Sequence, residues 1–108
     1  MLEAADIVID LRAHSATLHA LDLNLTPKEF DILTLLVRNA GCPVSPQDIF
    51  EQVWQEQYRL SDANTIMVHI RRLRKKLSEI DSSQAFIETV FGVGYRIDDG
   101  SGADRTEQ

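Results

Sequence analysis

Between Ala63 and Leu77 the sequence holds five basic residues, Arg71, Arg72, Arg74, Lys75 and Lys76, and no acidic one. Taking those five charges from the net −6 of the 108-residue chain leaves −11 on the remainder. Guanidinium and ammonium groups clustered in this way can neutralise phosphates, and arginine can donate two hydrogen bonds to one guanine edge. An acidic body bearing one basic element is electrostatically polarised, and that element steers it onto a polyanion. Charged helix faces are by default merely solvated, so the placement of the cations has to decide.

Ile66, Ile70, Leu73, Leu77 and Ile80 recur at intervals of 4, 3, 4 and 3, which is one continuous stripe on a helix expected over 63–80. At ~100° per residue the opposite pole carries Asn64, Val68, Arg71, Arg72 and Lys75. Thr65 and Lys76 sit on one shoulder with His69 nearer the core edge, and Arg74 lies toward the other edge beside Met67. One face is therefore expected to bind the protein body while the other stays basic, with small polar residues near its N-terminal end. Asparagine can pair with adenine, and Val68 at the solvent pole could meet a thymine methyl in a groove. Five cations within six positions weigh against a merely solvated face. The stripe is narrow, lacks aromatics and is needed for the core, which disfavours an anionic membrane as the target.

Other chemistry finds little support. Gly92-Val93-Gly94 lacks the strand-before, helix-after setting of a dinucleotide fingerprint and suits a hairpin turn, where glycine supplies positive φ. His14, His19 and His69 have no ligand spacing with one another or with Cys42, so no metal is expected. Cys42, followed by Pro43, reads as a loop or partly buried thiol, and no Ser–His–acid set can be assembled. No enzyme activity and no cofactor are expected.

The elements that must carry the basic face follow from patterning. The length suits one domain, and 44% apolar with 26% charged residues is an ordinary globular balance that argues for a packed core. No run approaches the ~20 apolar residues of a membrane span, and the N-terminus lacks a secretory pattern. One cysteine excludes an internal disulfide framework and fits a reducing cytoplasm. From Asp6 to Asn24, Ile7 and Ile9 and later Leu21, Leu23 and Leu25 alternate about a turn at 12–15, predicting a small antiparallel sheet. Thr26-Pro27-Lys28-Glu29 is a capping-box helix start, followed by Phe30, Leu33 and Val37 at helical spacing and a stop at Asn39-Ala40-Gly41. Ser45-Pro46-Gln47-Asp48 starts a second helix ending near Val53-Trp54. Gln55–Leu60 reads as a polar loop, with Ser61 or Asp62 capping the third helix. Trp54 reads as core before contact, and Tyr58 as the better candidate for exposure. Residues 86–90 and 95–97 predict a hairpin, and the polar segment 99–108 a disordered tail. Two helices in series, the second joined by a loop to a basic third, outline a helix-turn-helix.

Three ordered motifs carry a family resemblance: Leu25-Thr26-Pro27-Lys28-Glu29-Phe30-Asp31-Ile32-Leu33, Val68-His69-Ile70-Arg71-Arg72-Leu73-Arg74-Lys75-Lys76-Leu77 and Thr89-Val90-Phe91-Gly92-Val93-Gly94-Tyr95-Arg96-Ile97. Over about Asp6 to Asp98 the chain resembles the effector domain of OmpR/PhoB-type response regulators of two-component phosphorelay systems in bacteria. The resemblance implies an α+β winged helix-turn-helix: an N-terminal antiparallel four-stranded sheet, a three-helix core and a C-terminal β-hairpin wing, occupying residues 1–98. It implies sequence-specific binding of double-stranded DNA for transcription control. The third helix would enter the major groove and the wing would touch the adjacent minor groove. Arg72 is then the favoured base reader with Thr65 and Val68 as neighbours, and His69, Arg71, Arg74 and Tyr95 are backbone contacts. Asn64, Lys75, Lys76, Thr89 and Gly92 complete the expected DNA face. The loop from Trp54, with Gln55, Glu56, Gln57, Tyr58 and Arg59, corresponds to a segment that contacts RNA polymerase. A receiver domain and a sensor kinase are the further implied partners, with two copies on direct repeats.

The sequence departs from the family pattern in two places. Where many members carry a wing-tip arginine suited to the minor groove, this chain has Phe91, so a wing contact there would be apolar or absent. Arg96 is close by but alternates with Tyr95 along the strand. No receiver-like acidic cluster follows a first strand, so an excised or a stand-alone effector domain is expected. A module that docks an acidic protein through the same basic helix is the competing reading, and it should enrich no DNA sequence.

Overall fold

The structure, a computed structural model, describes residues 1–98; the expected tail at 99–108 lies outside the described residues. Four short strands open the chain: β1 (Leu2–Ala4), β2 (Ile7–Asp10), β3 (Ser15–Leu18) and β4 (Leu21–Asp22), paired antiparallel in that order. Ile7 faces Leu18 and Ile9 faces Ala16 across the β2–β3 ladder, and all four are buried. Period-2 alternation thus puts one apolar face on the core, as the sequence predicts. Two details differ. β1 precedes the segment where strands were expected, and the alternating run expected from Ala16 through Leu25 is broken by a two-residue turn at His19-Ala20. Ala5-Asp6 and His19-Ala20 both hold two successive positive φ values, 51° and 70°, then 51° and 67°. Turns of that hand match strand twist but usually recruit Asn-Gly or Asp-Gly, so these residues carried no turn signal. Leu21 is consequently 57% exposed rather than core.

α1 (Pro27–Arg38) begins as its residues dictate. Thr26 Oγ1 accepts from the Glu29 N–H at 3.3 Å and Glu29 Oε1 accepts from the Thr26 N–H at 3.0 Å, a reciprocal capping box. α2 (Pro46–Trp54) starts with Ser45 Oγ accepting from the Asp48 N–H at 3.0 Å and ends at Gln55 in a left-handed conformation. A single 3-10 turn, Leu60–Asp62, then precedes α3 (Ala63–Ile80). Asp62 caps that turn, accepting from the Arg59 N–H at 2.9 Å, and no side chain caps α3 itself. The expected capping by Ser61 or Asp62 is therefore corrected: Asp62 is spent one turn earlier.

α3 buries Ile66, Ile70, Leu73 and Leu77 against α1 and α2, with Ile80 half-buried at the end of the same stripe. One polar contact fixes its rotation. Lys76 Nζ donates to Glu29 Oε1 at 2.6 Å and to the Asn24 carbonyl at 2.8 Å, and Glu29 is only 1% exposed. Burial pushes the Glu29 pKa up, but the Lys76 ammonium and the Thr26 donors outweigh it and hold the carboxyl below its ordinary value. At the far end of α3, His19 Nε2 meets Asp81 Oδ2 at 2.8 Å and ties the β3–β4 turn to the helix terminus.

β5 (Ile87–Val90) and β6 (Gly94–Ile97) form the C-terminal hairpin. β6 is clamped to the linker between α1 and α2. Val44 and Tyr95 exchange backbone hydrogen bonds at 2.8 and 3.0 Å, and the Gly41 N–H donates to the Ile97 carbonyl at 2.8 Å. Gly94 is required by that clamp, because a β-carbon there would run into the Val44 carbonyl. Gly92 at the tip has φ +78° with open space around it, so its need is conformational.

Gly94→Ala should lower stability by about 1–3 kcal/mol through backbone displacement, and Gly92→Ala by about 1–2 kcal/mol through left-handed strain. Urea midpoints check both, and a wild-type midpoint for Gly94→Ala would contradict the close approach. Lys76→Ala should cost about 2 kcal/mol or more at neutral pH by leaving Glu29 buried without its partner. The native Glu29 pKa is lowered, so its contribution is full above the ordinary carboxylate range and lost as pH falls through the native value. The stability gap between wild type and Lys76→Ala should therefore narrow toward acid pH, and a pH-independent gap would refute the pairing.

Candidate nucleic-acid interface

Seating α3 by its apolar stripe turns a defined set of side chains outward. Asn64, Met67, Val68, Arg71, Arg72 and Lys75 are exposed, and Thr65 is half-exposed. Among the described residues the side chains of Arg71, Arg72 and Lys75 form no hydrogen bond or ion pair with the protein. Three long cations thus project from one helix face with no internal competitor, beside an amide and the apolar Val68, 37% exposed. Such a face offers point charges for phosphates and forked donors for base edges.

The other two cations of the cluster are engaged inside the molecule. Arg74 Nε and Nη2 donate to the Ile87 carbonyl at 3.1 and 2.9 Å, and Nη2 also donates to Thr89 Oγ1 at 2.8 Å. Its guanidinium carbon lies 5.8 Å from the centroid of the Tyr95 ring. Arg74 therefore fastens the hairpin to the helix. Lys76 is held by Glu29 and Asn24, so its place on the expected DNA face gives way to a place in the body. Helical angle predicts which way a side chain leaves the backbone, and cannot show that a long chain folds back onto a partner 47 residues away.

His69 is also turned inward. Its Nδ1 lies 2.7 Å from the Thr65 carbonyl, which can only accept, so Nδ1 carries a proton. The imidazole stands edge-on to Trp54 at 5.1 Å. Trp54 itself closes α2 and stacks on Phe50 at 5.1 Å, with Lys28 Nζ 5.2 Å from its ring centroid. Of the six residues expected to form a partner-facing loop, Trp54 therefore belongs to the core edge. Tyr58 departs from its expected exposure as well: it is half-buried, 5.9 Å edge-on from Phe50, and its N–H donates to Glu51 Oε2 at 3.1 Å. Gln55, Glu56, Gln57 and Arg59 remain exposed, joined by Leu60 at 89%. Leu60 is an apolar residue in a polar loop, and that contrast was the only signal that could have singled it out.

The hairpin stands beside α3. A cleft between them is lined by Met67, Ile70, Arg71, Arg74, Thr89 and Tyr95. Tyr95 is half-buried, Thr89 is exposed and bound by Arg74, and Gly92 lies at the open tip. Arg96 directs Nε and Nη2 at Glu88 Oε1, at 3.0 and 2.8 Å, so the guanidinium of the hairpin is engaged across its own ladder. Phe91 has no such tie and is 91% exposed. Cys42 is an exposed thiol in the linker between α1 and α2, the loop alternative of its two expected settings. Among the described residues no three His, Cys, Asp or Glu side chains are grouped to hold a metal, and no helix is long and apolar enough to cross a membrane.

Comparison with known proteins places this geometry. Residues 20–97 match the family described as "Transcriptional regulatory protein, C terminal". The regulatory protein VanR of Enterococcus faecium is 41% identical over 92 residues, covering 85% of this chain and 40% of that protein. The chain thus spans about two-fifths of the length of the curated relatives it matches. The DNA-binding domain of CpxR from E. coli superposes with a TM-score of 0.81 at 28% identity, covering 93% of this chain and 97% of that one. The DNA-binding domain of the response regulator AdeR, solved in complex with an intercistronic region, gives 0.77 at 29% identity, with 92% and 99% covered. The order of four-stranded sheet, three helices and C-terminal hairpin is the winged helix-turn-helix shared with those domains. The chain belongs to the transcriptional regulatory protein C-terminal family, the OmpR/PhoB-type effector domains of response regulators.

Proposed function

We propose that residues 1–98 form one unit that binds double-stranded DNA sequence-specifically, as the output domain of a two-component transcriptional response regulator. The observation that carries this reading is the exposed face of α3, where Arg71, Arg72 and Lys75 are unengaged among the described residues in a chain of net charge −6. Cations left without protein partners while the rest of the surface is acidic suit a polyanionic ligand. A helix fits the ~12 Å major groove, and this one presents readers and phosphate contacts on the same side. The AdeR domain, solved with DNA, lends the reading support through its shared fold.

In this arrangement Arg72 reads a base, with Asn64, Thr65 and Val68 as its neighbours along the groove floor. Arg71 and Lys75 hold phosphates, while Arg74, Tyr95 and Thr89 set the wing against the helix. The exposed part of the 55–60 loop meets RNA polymerase. Two copies occupy a direct repeat, and a receiver domain under a sensor kinase governs the whole protein in the cytoplasm. No enzymatic step is assigned to the chain.

Arg72→Ala should cost about 1–3 kcal/mol on the preferred site and relax discrimination at one base position. Lys75→Ala should weaken all duplexes about equally and reduce the slope of log affinity against log salt by roughly 0.9. Equilibrium binding to a panel of single-base variants measures both. If Arg72→Ala left the ranking of sites unchanged, another residue would be the reader.

A further inference from the structure

A cavity of about 620 Å³ lies between the C-terminal half of α3 and the segment that leads into β5. Arg71, Arg74 and Lys75 line it from the helix, on one face because they stand three and four residues apart. Its floor is apolar: Leu77, Phe86 and Ile87 are each at most 4% exposed, and the exposed Ala85 stands on the opposite wall. No acidic residue lines it. Asp81, which follows the helix, is taken up by His19 at 2.8 Å and by the Ser83 N–H at 2.9 Å.

The three cations are not equivalent. Arg74 is held by the Ile87 carbonyl at 2.9 Å and Thr89 Oγ1 at 2.8 Å, so it supplies a fixed positive charge at the cavity wall. Among the described residues the side chains of Arg71 and Lys75 have no hydrogen-bond or ion-pair partner, and both are free to turn toward a ligand. Cations gathered at a concave apolar surface raise the local concentration of anions, even on a chain of net charge −6.

Complementarity selects the ligand. An inorganic anion would use the cations and leave the apolar floor wet. A neutral hydrocarbon would cover the floor and leave three positive charges without a partner. A molecule with an apolar body and one carboxylate satisfies both, since a guanidinium grips a carboxylate in bidentate fashion and burial of the body is favourable. The cavity also falls within the ~300–1,000 Å³ typical of small-molecule sites, where an apolar lining is joined by a few placed polar groups.

We propose that this cavity binds a small amphipathic carboxylate, its hydrocarbon body on Leu77, Phe86 and Ile87 and its head group on Arg71 and Lys75. Arg71 and Lys75 are the side chains assigned above to phosphates, so, on the strength of that DNA-binding reading, the bound carboxylate competes with duplex DNA. Arg72 does not line the cavity, which leaves the base reader outside the competition.

The test titrates octanoate into the full chain and follows backbone amide shifts. Acetate carries only the charge and octan-1-ol only the hydrocarbon. Octanoate should shift residues 82–87 and the facing turns of α3, and bind about tenfold or more tightly than either control. Ala85→Trp fills the cavity from its exposed wall and should abolish the shifts with duplex affinity retained; Ala85→Leu serves if the urea midpoint of the first variant falls. Lys75→Ala should weaken octanoate and Arg72→Ala should not. On a duplex enriched from a random pool, octanoate should raise the apparent Kd in step with its own occupancy, while acetate at equal ionic strength should not. Equal binding of octanoate and acetate, or octanoate shifts that survive both Ala85 variants, would overturn the site. Unchanged duplex affinity at saturating octanoate would overturn the competition. If the chain enriched no duplex at all, the DNA-binding reading would fail, and the octanoate titration would still decide the cavity.

Discussion

The seating of α3 against α1 is the contact on which the rest of the molecule depends. Ile66, Ile70, Leu73 and Leu77 are each buried to within 1% of full occlusion, and at roughly 1.5–3 kcal/mol per side chain they supply most of the attachment. Apolar contacts are non-directional, however, and would tolerate a small roll of the helix. The Lys76–Glu29 pair is directional and sits at 2.6 Å on a carboxylate that also closes the α1 capping box. A buried ion pair of this kind adds little net stability, because desolvation offsets most of its attraction. Its consequence is geometric: the start of α1 and the rotation of α3 are set by the same carboxylate.

From that seating follows a division of labour among the cations. Lys76 orients the helix, Arg74 carries the hairpin, Arg96 stiffens the hairpin ladder through Glu88, and Arg71, Arg72 and Lys75 are left facing solvent. The cationic face left to solvent among the described residues is thus smaller than the basic run that announces it, three charges rather than five. On the proposed DNA-binding reading, the exposed Val68 and Asn64 on the same face are the apolar and amide groups that would distinguish one base pair from another.

Much of this was legible in the residues, and the failures have definite physical causes. Thr26 with Glu29 and Ser45 with Asp48 announced two helix starts because capping is local, acting over three residues. The α3 boundaries and stripe were legible because period 3.6 extends over five turns. The intramolecular partners of Lys76, Arg74 and Tyr58 were not legible because they lie 47, 13 and 7 residues away, and periodicity is blind to such closures. The turns at Ala5-Asp6 and His19-Ala20 were missed because residues without turn preference adopt left-handed backbone there, held by the sheet pairing on both sides. Gly94 was readable only as a turn glycine, and its close approach to Val44 emerged from the packing of the hairpin on the α1–α2 linker.

The most direct experiment is selection by this chain from a random duplex pool, followed by binding of the enriched site across salt concentrations. A basic reading face seated as described should enrich a common motif, with affinity falling linearly in log salt and with a requirement for Arg72. Recovery of the starting pool without enrichment would mean that the exposed face of α3 serves a partner other than duplex DNA.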